Sequence, residues 1–314
     1  MRAVVIGAES KLTVEERPDP VPTGGQLLVS VRAAGLNGAD MLQRRGFYPP
    51  PPGWPADIPG MELAGEVAAV GPGVTSFKVG DRVMAIVGGG AQAELALVEE
   101  RVAMAVPQSL DWTSAGALPE VFITAHDALF TQAGLLAGER VLIHGGAGGV
   151  GTAAIQIARG AGAQVFATVR NADVREQVAA LGATVLAPDA FVEAGPFDVI
   201  LELVGAVNLA DNVSALAVGG RISVIGVGGG GAAAELNLLA LMGKRGRILA
   251  STLRARSLEE KALASRALER HVLPAFESGA IRVPILKTYP LDEAEAAYDH
   301  FAGGGKLGKI VLLP

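Results

Sequence analysis

Gly146, Gly148 and Gly151 stand at G-x-G-x-x-G spacing inside HGGAGGVG, residues 144–151. Their context carries the meaning. A β-branched run, Val141 to Ile143, comes before them, a helical pattern over 149–160 follows, and a second strand-like run, Gln164 to Val169, closes the unit. In that order, glycines allow a tight turn, let backbone N–H groups approach a pyrophosphate, and let the helix pack close on the strand. The helix start adds unpaired N–H groups and a positive dipole end, both suited to phosphate. Gly146, Ala147, Gly148, Gly149 and Val150 are therefore the candidate phosphate cradle. The competing interpretation is a turn with a structural role alone.

The tip of the second strand selects the nucleotide. A site for NAD places Asp or Glu about 20 residues past the glycines, on the ribose 2′-hydroxyl. Here the tip reads Ala167-Thr168-Val169-Arg170-Asn171, without a carboxylate, and Arg175 follows. A guanidinium fork matches a 2′-phosphate and serves a 2′-hydroxyl poorly. Arg170 thus points to NADPH, with Thr168, Asn171 and Arg175 as polar partners; otherwise it is a solvated strand-end charge. Asp173 comes late, inside the next expected helix.

The elements around this unit divide in two. Residues 1 to about 110 carry short strand-like runs (3–6, 27–33, 64–70, 82–86, 93–98) between turn clusters, the pattern of a partly closed β-barrel. Pro49 to Pro52, continued by Gly53, Trp54 and Pro55, forces an irregular loop. From about 111 the texture changes. A helix is expected over 114–129, then strand and helix alternate to 226, which predicts a doubly wound parallel sheet. A long helix over 258–278 and strands at 281–283, 287–290 and 309–313 complete the pattern. The expected domains are 1–115 with 284–314, and 116–283. The glycine run Gly228 to Gly231 is expected as a loop beyond a strand.

Composition narrows the function. The chain has 314 residues, a formal charge of −6 and no cysteine. Disulfides, iron–sulfur clusters, thiolate zinc sites and cysteine nucleophiles are excluded, and the mild acidity argues against a nucleic-acid surface. The longest run without charge, Val141 to Ala158, is broken by glycines and by His144, Thr152 and Gln156, so it reads as turn plus helix, not a membrane span. No signal-peptide core opens the chain, and a cytoplasmic protein is expected.

At five further stretches the chain resembles the medium-chain dehydrogenase/reductase superfamily, closest to its zinc-free quinone oxidoreductase, zeta-crystallin-like branch. They are AAGLNGADMLQRRGFYPPPPGWPADIPGMELAGEVAAVG (33–71), KVGDRVMAIVGGGAQAEL (78–95), ALPEVFITAHDAL (117–129), MGKRGRILASTLRARS (242–257) and KLGKIVLLP (306–314), beside HGGAGGVG. The resemblance implies a GroES-like barrel, a Rossmann domain, a cleft between them and NADPH-dependent reduction of quinones or related electrophiles. Zinc-dependent relatives hold a cysteine ligand in a segment like GLNGAD and a histidine in one like GMELAG. This chain has Asn37 and Met61 there, both poor zinc ligands, so no metal is expected.

By the same resemblance Asn37, Asp40 and Tyr48 line the nicotinamide end. Tyr48 either contacts substrate and delivers a proton, or is a lid residue while water gives the proton. Asp40 is expected to be exposed and ionised, orienting its neighbours. Asn37 either bonds ribose or substrate, or caps a turn. Thr124 matches a position that meets nicotinamide, or is a helical threonine bonded to its own backbone. Val204, Gly205, Gly226 and Val227 are expected to wall the nicotinamide, Leu253 and Arg254 to border the cleft, and Lys309 or Lys306 to reach phosphate or remain solvated. The histidines, His144 included, are expected to be structural. A homodimer is implied, with 220–227 or 247–253 at its face. Competing activities are enone or enoyl reduction and NADPH binding without catalysis.

Overall fold

The computed structural model describes residues 1–229 and 231–314, so Gly230 of the expected Gly228–Gly231 loop lies outside the described residues. Two compact units form: Met1–Ile123 with Leu253–Gly304 and Gly308–Pro314, and Thr124–Thr252 with Gly305–Leu307. The first begins with a hairpin of β1 (Arg2–Ile6) and β2 (Leu12–Glu16), then β3 (Gln26–Gly35), β4 (Glu62–Val70), β5 (Arg82–Ile86), β6 (Leu95–Glu99) and β7 (Met104–Ala105). The second holds β8 (Arg140–Ile143), β9 (Gln164–Thr168), β10 (Thr184–Leu186), β11 (Phe197–Glu202), β12 (Leu216–Val224) and β13 (Arg247–Ala250). The chain then returns to the first with β14 (Ile285–Pro290) and β15 (Lys309–Leu313).

The first unit's main sheet runs β14-β15-β3-β4-β5-β7, with β6 on β3. All its pairs are antiparallel except β14 with β15. Strict alternation along β3 buries Leu27, Val29 and Val31 on one side. Ile310 and Leu312 of β15 meet Leu36, Tyr289, Tyr298 and Val4 in one core.

The second unit is a parallel sheet in the order β10-β9-β8-β11-β12-β13, with every pair parallel. Counted within the unit this is strand order 3-2-1-4-5-6, the Rossmann arrangement, whose ligands bind beyond the carboxyl ends of the strands. Leu142, Ile200 and Ile222, central in three neighbouring strands, pack with Phe191, Phe197 and Val213. A strand buried on both faces needs apolar residues throughout, which explains the unbroken VLI and VIL runs.

Details differ from the sequence pattern where packing overrides it. The helix expected over 114–129 is two, Trp112–Gly116 and Pro119–His126, because Pro119 cannot continue the first; a wider helical turn follows to Gln132. No strand forms at 281–283; that pairing belongs to β14. The helix Leu258–His271 lies with the first unit, not with the parallel sheet. Ala262, Ser265 and Leu268 are buried along it, it packs on the turn Glu100–Val102, and Phe276 beyond it meets Phe122 edge-on at 4.9 Å. No described helix is long and apolar enough to cross a membrane.

Candidate functional site

In the second unit the glycine turn is held by contacts on two sides. Gly145 has φ +66°, so it supplies the left-handed step of the tight turn. Gly146 is needed for closeness instead: a Cβ there would lie 2.8 Å from that of Ala167. A Cβ on Gly151 would run into the Gly145 carbonyl, so the helix Gly149–Gly160 sits tight against the turn. Gly148 is exposed, with only the Gly145 carbonyl near, at 3.5 Å, leaving room for a phosphate. The helix opens at Gly148, and the N–H groups of Gly149 and Val150 in its first turn have no acceptor within the helix. With Ala147 these residues fit a dinucleotide pyrophosphate.

Around the cradle, the expected polar partners separate. Arg170 is exposed at the end of β9. Arg175 turns back to donate from Nε to the Val169 carbonyl at 3.0 Å. Asn171 accepts from the Asp173 N–H at 3.1 Å and donates to the Gly305 carbonyl at 2.7 Å. Thr168 is turned inward, 4% exposed, with Oγ1 3.0 Å from His144 Nδ1, which removes it from any phosphate role. His144 Nε2 lies 2.8 Å from Asn212 Oδ1, and Asn212 Nδ2 donates to Glu202 at 2.8 Å. An amide oxygen only accepts, so His144 carries its proton on Nε2 and takes the Thr168 hydroxyl hydrogen at Nδ1. Burial, the main cause, holds this imidazole below its ordinary pKa, hence neutral.

Glu202 anchors the next wall. Its Oε1 accepts from the N–H groups of Val204 at 2.6 Å and Gly205 at 2.8 Å. Those donors are spent, and the two carbonyls already accept from the Gly229 N–H at 3.0 Å and the Asn208 N–H at 3.2 Å, so the apolar Val204 side chain is the main surface this turn offers. Gly226 packs against the Leu203 carbonyl, and Val227 is 41% exposed beyond β12. Sequence pattern had not marked Glu202 or Asn212; a charged residue closing the apolar run FDVILE was the available signal.

In the first unit the polar residues converge on a lysine. Lys309 is 3% exposed, and its ammonium donates to Glu62 Oε1 at 2.6 Å, Asn37 Oδ1 at 2.7 Å and the Leu36 carbonyl at 2.7 Å. Three acceptors use its three donors, so the expected reach to phosphate is corrected. Asn37 Nδ2 donates to Glu62 Oε1 at 2.9 Å and the Gly35 carbonyl at 3.3 Å, so this amide is also committed, to protein and not to ribose or substrate. Glu62, wholly buried, further accepts the Glu120 N–H at 2.9 Å. Asp40 is wholly buried too, against the expectation of an exposed carboxylate. It accepts from the N–H groups of Asn37 at 2.9 Å and Gly60 at 3.2 Å, holding the start of the helix Gly38–Arg44. Burial pushes its carboxyl up to about 6, against the pull of the Asn37 N–H and of the Lys309 and Arg254 charges.

A second cation pins the proline loop. Arg254, 4% exposed, donates from Nε to the Gly88 carbonyl at 2.8 Å, from Nη1 to the Tyr48 carbonyl at 2.9 Å and from Nη2 to Gln43 Oε1 at 2.7 Å. Its guanidinium centre lies 5.3 Å from the Tyr48 ring centre. Desolvation raises the Tyr48 phenol above its ordinary value, with the Glu120 charge adding to it, so the hydroxyl stays protonated. Leu253, beside Arg254, is buried. Thr124 is half-buried on the helix Pro119–His126.

The alcohol dehydrogenase GroES-like domain model matches residues 23–108, and the zinc-binding dehydrogenase model matches 158–312. Quinone oxidoreductase of Rattus norvegicus is 34% identical over 94% of this chain and 91% of that protein. An alcohol dehydrogenase superfamily protein from Novosphingobium aromaticivorans superposes with a TM-score of 0.88 at 32% identity, covering 100% of this chain and 99% of the other. A mycobacterial protein solved in complex with NADPH superposes with a TM-score of 0.88 at 28% identity over 100% of both chains. Matched in both units and related along its length to quinone oxidoreductases, the chain belongs to the medium-chain dehydrogenase/reductase superfamily as a nicotinamide-dependent oxidoreductase.

Proposed function

We propose that the protein reduces quinones with NADPH and without a metal ion. The observation that carries this is what occupies the place where zinc-dependent relatives bind their metal. Asn37 and Met61 stand there, and an ammonium, that of Lys309, lies 2.7 Å from Asn37 Oδ1. A dication would face that charge with an amide and a thioether as ligands, so the residues do not fit zinc. A quinone is already electrophilic and needs no Lewis acid.

When bound, the cofactor supplies hydride; the chain's residues bind, orient and exclude water. The turn 146–150 takes the pyrophosphate, and Arg170 takes the 2′-phosphate. Tyr48 presents a protonated phenol, with no protein partner for its hydroxyl among the described residues, toward developing negative charge on the substrate oxygen. Val204, Gly205, Gly226, Val227 and Thr124 wall the nicotinamide.

The test follows NADPH and NADH absorbance with a simple quinone, with and without a strong chelator. Quinone-dependent loss of NADPH that ignores chelator is expected. Loss only with an enone would move the substrate class to activated alkenes, and inhibition by chelator would end the metal-free mechanism. In the same assay Arg170→Ala should weaken NADPH roughly ten- to a hundredfold, the worth of one charged hydrogen bond, and leave NADH nearly unchanged. Equal weakening of both would refute the 2′-phosphate assignment.

A further inference from the structure

We propose that Glu120 returns the proton to the reduced substrate, a role that rests on the quinone reduction proposed above. The helix Pro119–His126 is buried at every residue except Glu120 and Thr124. These two stand four apart, so they share one face and form the helix's single accessible stripe. Thr124 is the position assigned to the nicotinamide, which puts Glu120 one turn away on the same side.

Three further facts separate Glu120 from a structural glutamate. Its backbone is fixed, since its N–H donates to Glu62 Oε2 at 2.9 Å. Its carboxyl accepts no hydrogen bond among the described residues, although structural carboxylates elsewhere in this unit, Glu62 and Asp40, take two or more. It is also half-buried, so solvent still reaches it. The charged and titratable groups it faces are Glu62, Asp40 and Tyr48 on one hand and Lys309, Arg254 and Lys261 on the other. Both nearest cations are committed: Lys309 to Glu62 and Arg254 to three oxygens.

Burial first, and the Glu62 charge second, push the Glu120 carboxyl up to about 8. It therefore holds a proton at neutral pH and can release it there, as an efficient general acid must. The Tyr48 phenol, raised above its ordinary value, is a better hydrogen-bond donor than proton source. The step balances as follows. Hydride received from the dihydronicotinamide reduces the quinone to its hydroquinone anion, leaving oxidised nicotinamide. The Glu120 O–H bond breaks and the hydroquinone O–H bond forms as that negative charge develops on the oxygen, in the same transition state, and water reprotonates the carboxylate.

Glu120→Gln is nearly isosteric and keeps the N–H bond to Glu62, so the fold should survive, which a thermal melt checks. Anaerobic single-turnover reduction of 1,4-naphthoquinone by NADPH is measured across pH 6–10. In the wild type the rate should be level below the acid's pKa and fall about tenfold per unit above it, because the protonated form is the active one. In Glu120→Gln the rate at pH 7 should fall roughly a hundredfold and the break should vanish, while NADPH affinity by fluorescence is unchanged. Glu120→Asp should retain part of the rate and the break. A Glu120→Gln protein with the wild-type rate and pH profile overturns the role of Glu120 alone. A wild-type protein that binds NADPH yet reduces no quinone overturns the quinone assignment and this role together.

Discussion

Lys309→Met should destabilise the fold by about 3–5 kcal/mol, the cost of leaving one member of a buried ion pair alone. Glu62 would keep the Asn37 amide and the Glu120 N–H but lose the ammonium at 2.6 Å. Asn37 Oδ1 and the Leu36 carbonyl would each lose a donor as well. Urea denaturation with an unchanged m-value is the measurement. Adding Glu62→Gln removes the stranded charge, so the double variant should be more stable than Lys309→Met alone. Such non-additivity is the signature of a direct pair. A loss below about 1 kcal/mol, typical of an exposed pair, would show that solvent reaches the lysine.

Arg254→Ala should cost about 2–4 kcal/mol, since it strands the Gly88 carbonyl, the Tyr48 carbonyl and Gln43 Oε1 in the interior. The damage should be local. Gln43 also donates to the Ala56 carbonyl at 3.2 Å, so Arg254 and Gln43 together hold both ends of the proline loop. Limited proteolysis should cut within 47–57 in the variant before it cuts elsewhere. Arg254→Lys should not rescue, because one ammonium cannot span three acceptors set out for a planar fork. Cleavage at the wild-type rate, or full rescue by lysine, would mean the loop is held by its prolines alone.

The parallel-sheet unit was legible because its signals are local. A β-branched run, a glycine turn and a helical period lie within a few residues of one another, and each strand's burial on both faces shows as an unbroken apolar run. The resemblance extended this to the first unit. Two kinds of feature stayed hidden. One is long-range pairing: Lys309 and Glu62 are 247 positions apart, and nothing near either announces the other. The second is burial of polar groups. Asp40 reads as an exposed carboxylate and Asn37 as a ligand-binding or turn-capping amide, because short polar side chains near a turn are usually within reach of solvent. Only the assembled sheet shows them enclosed. The left-handed step falls on Gly145, which stands outside the G-x-G-x-x-G spacing, so the motif alone does not mark it.

The place of β15 has a consequence for synthesis. Val311 and Leu312 pair with Gly35 and Ala34, and β15 fills the gap between β3 and β14. A ribosome delivers Leu36 and its partner Lys309 273 residues apart. At about 5–20 residues per second that interval is on the order of 10–60 s. Throughout it the nascent chain carries an unpaired strand end and a Glu62 without its counter-ion, while the Rossmann unit, contiguous but for three residues, is free to close. The two halves of the enzyme thus mature on different clocks, and the slower one waits for the final strand.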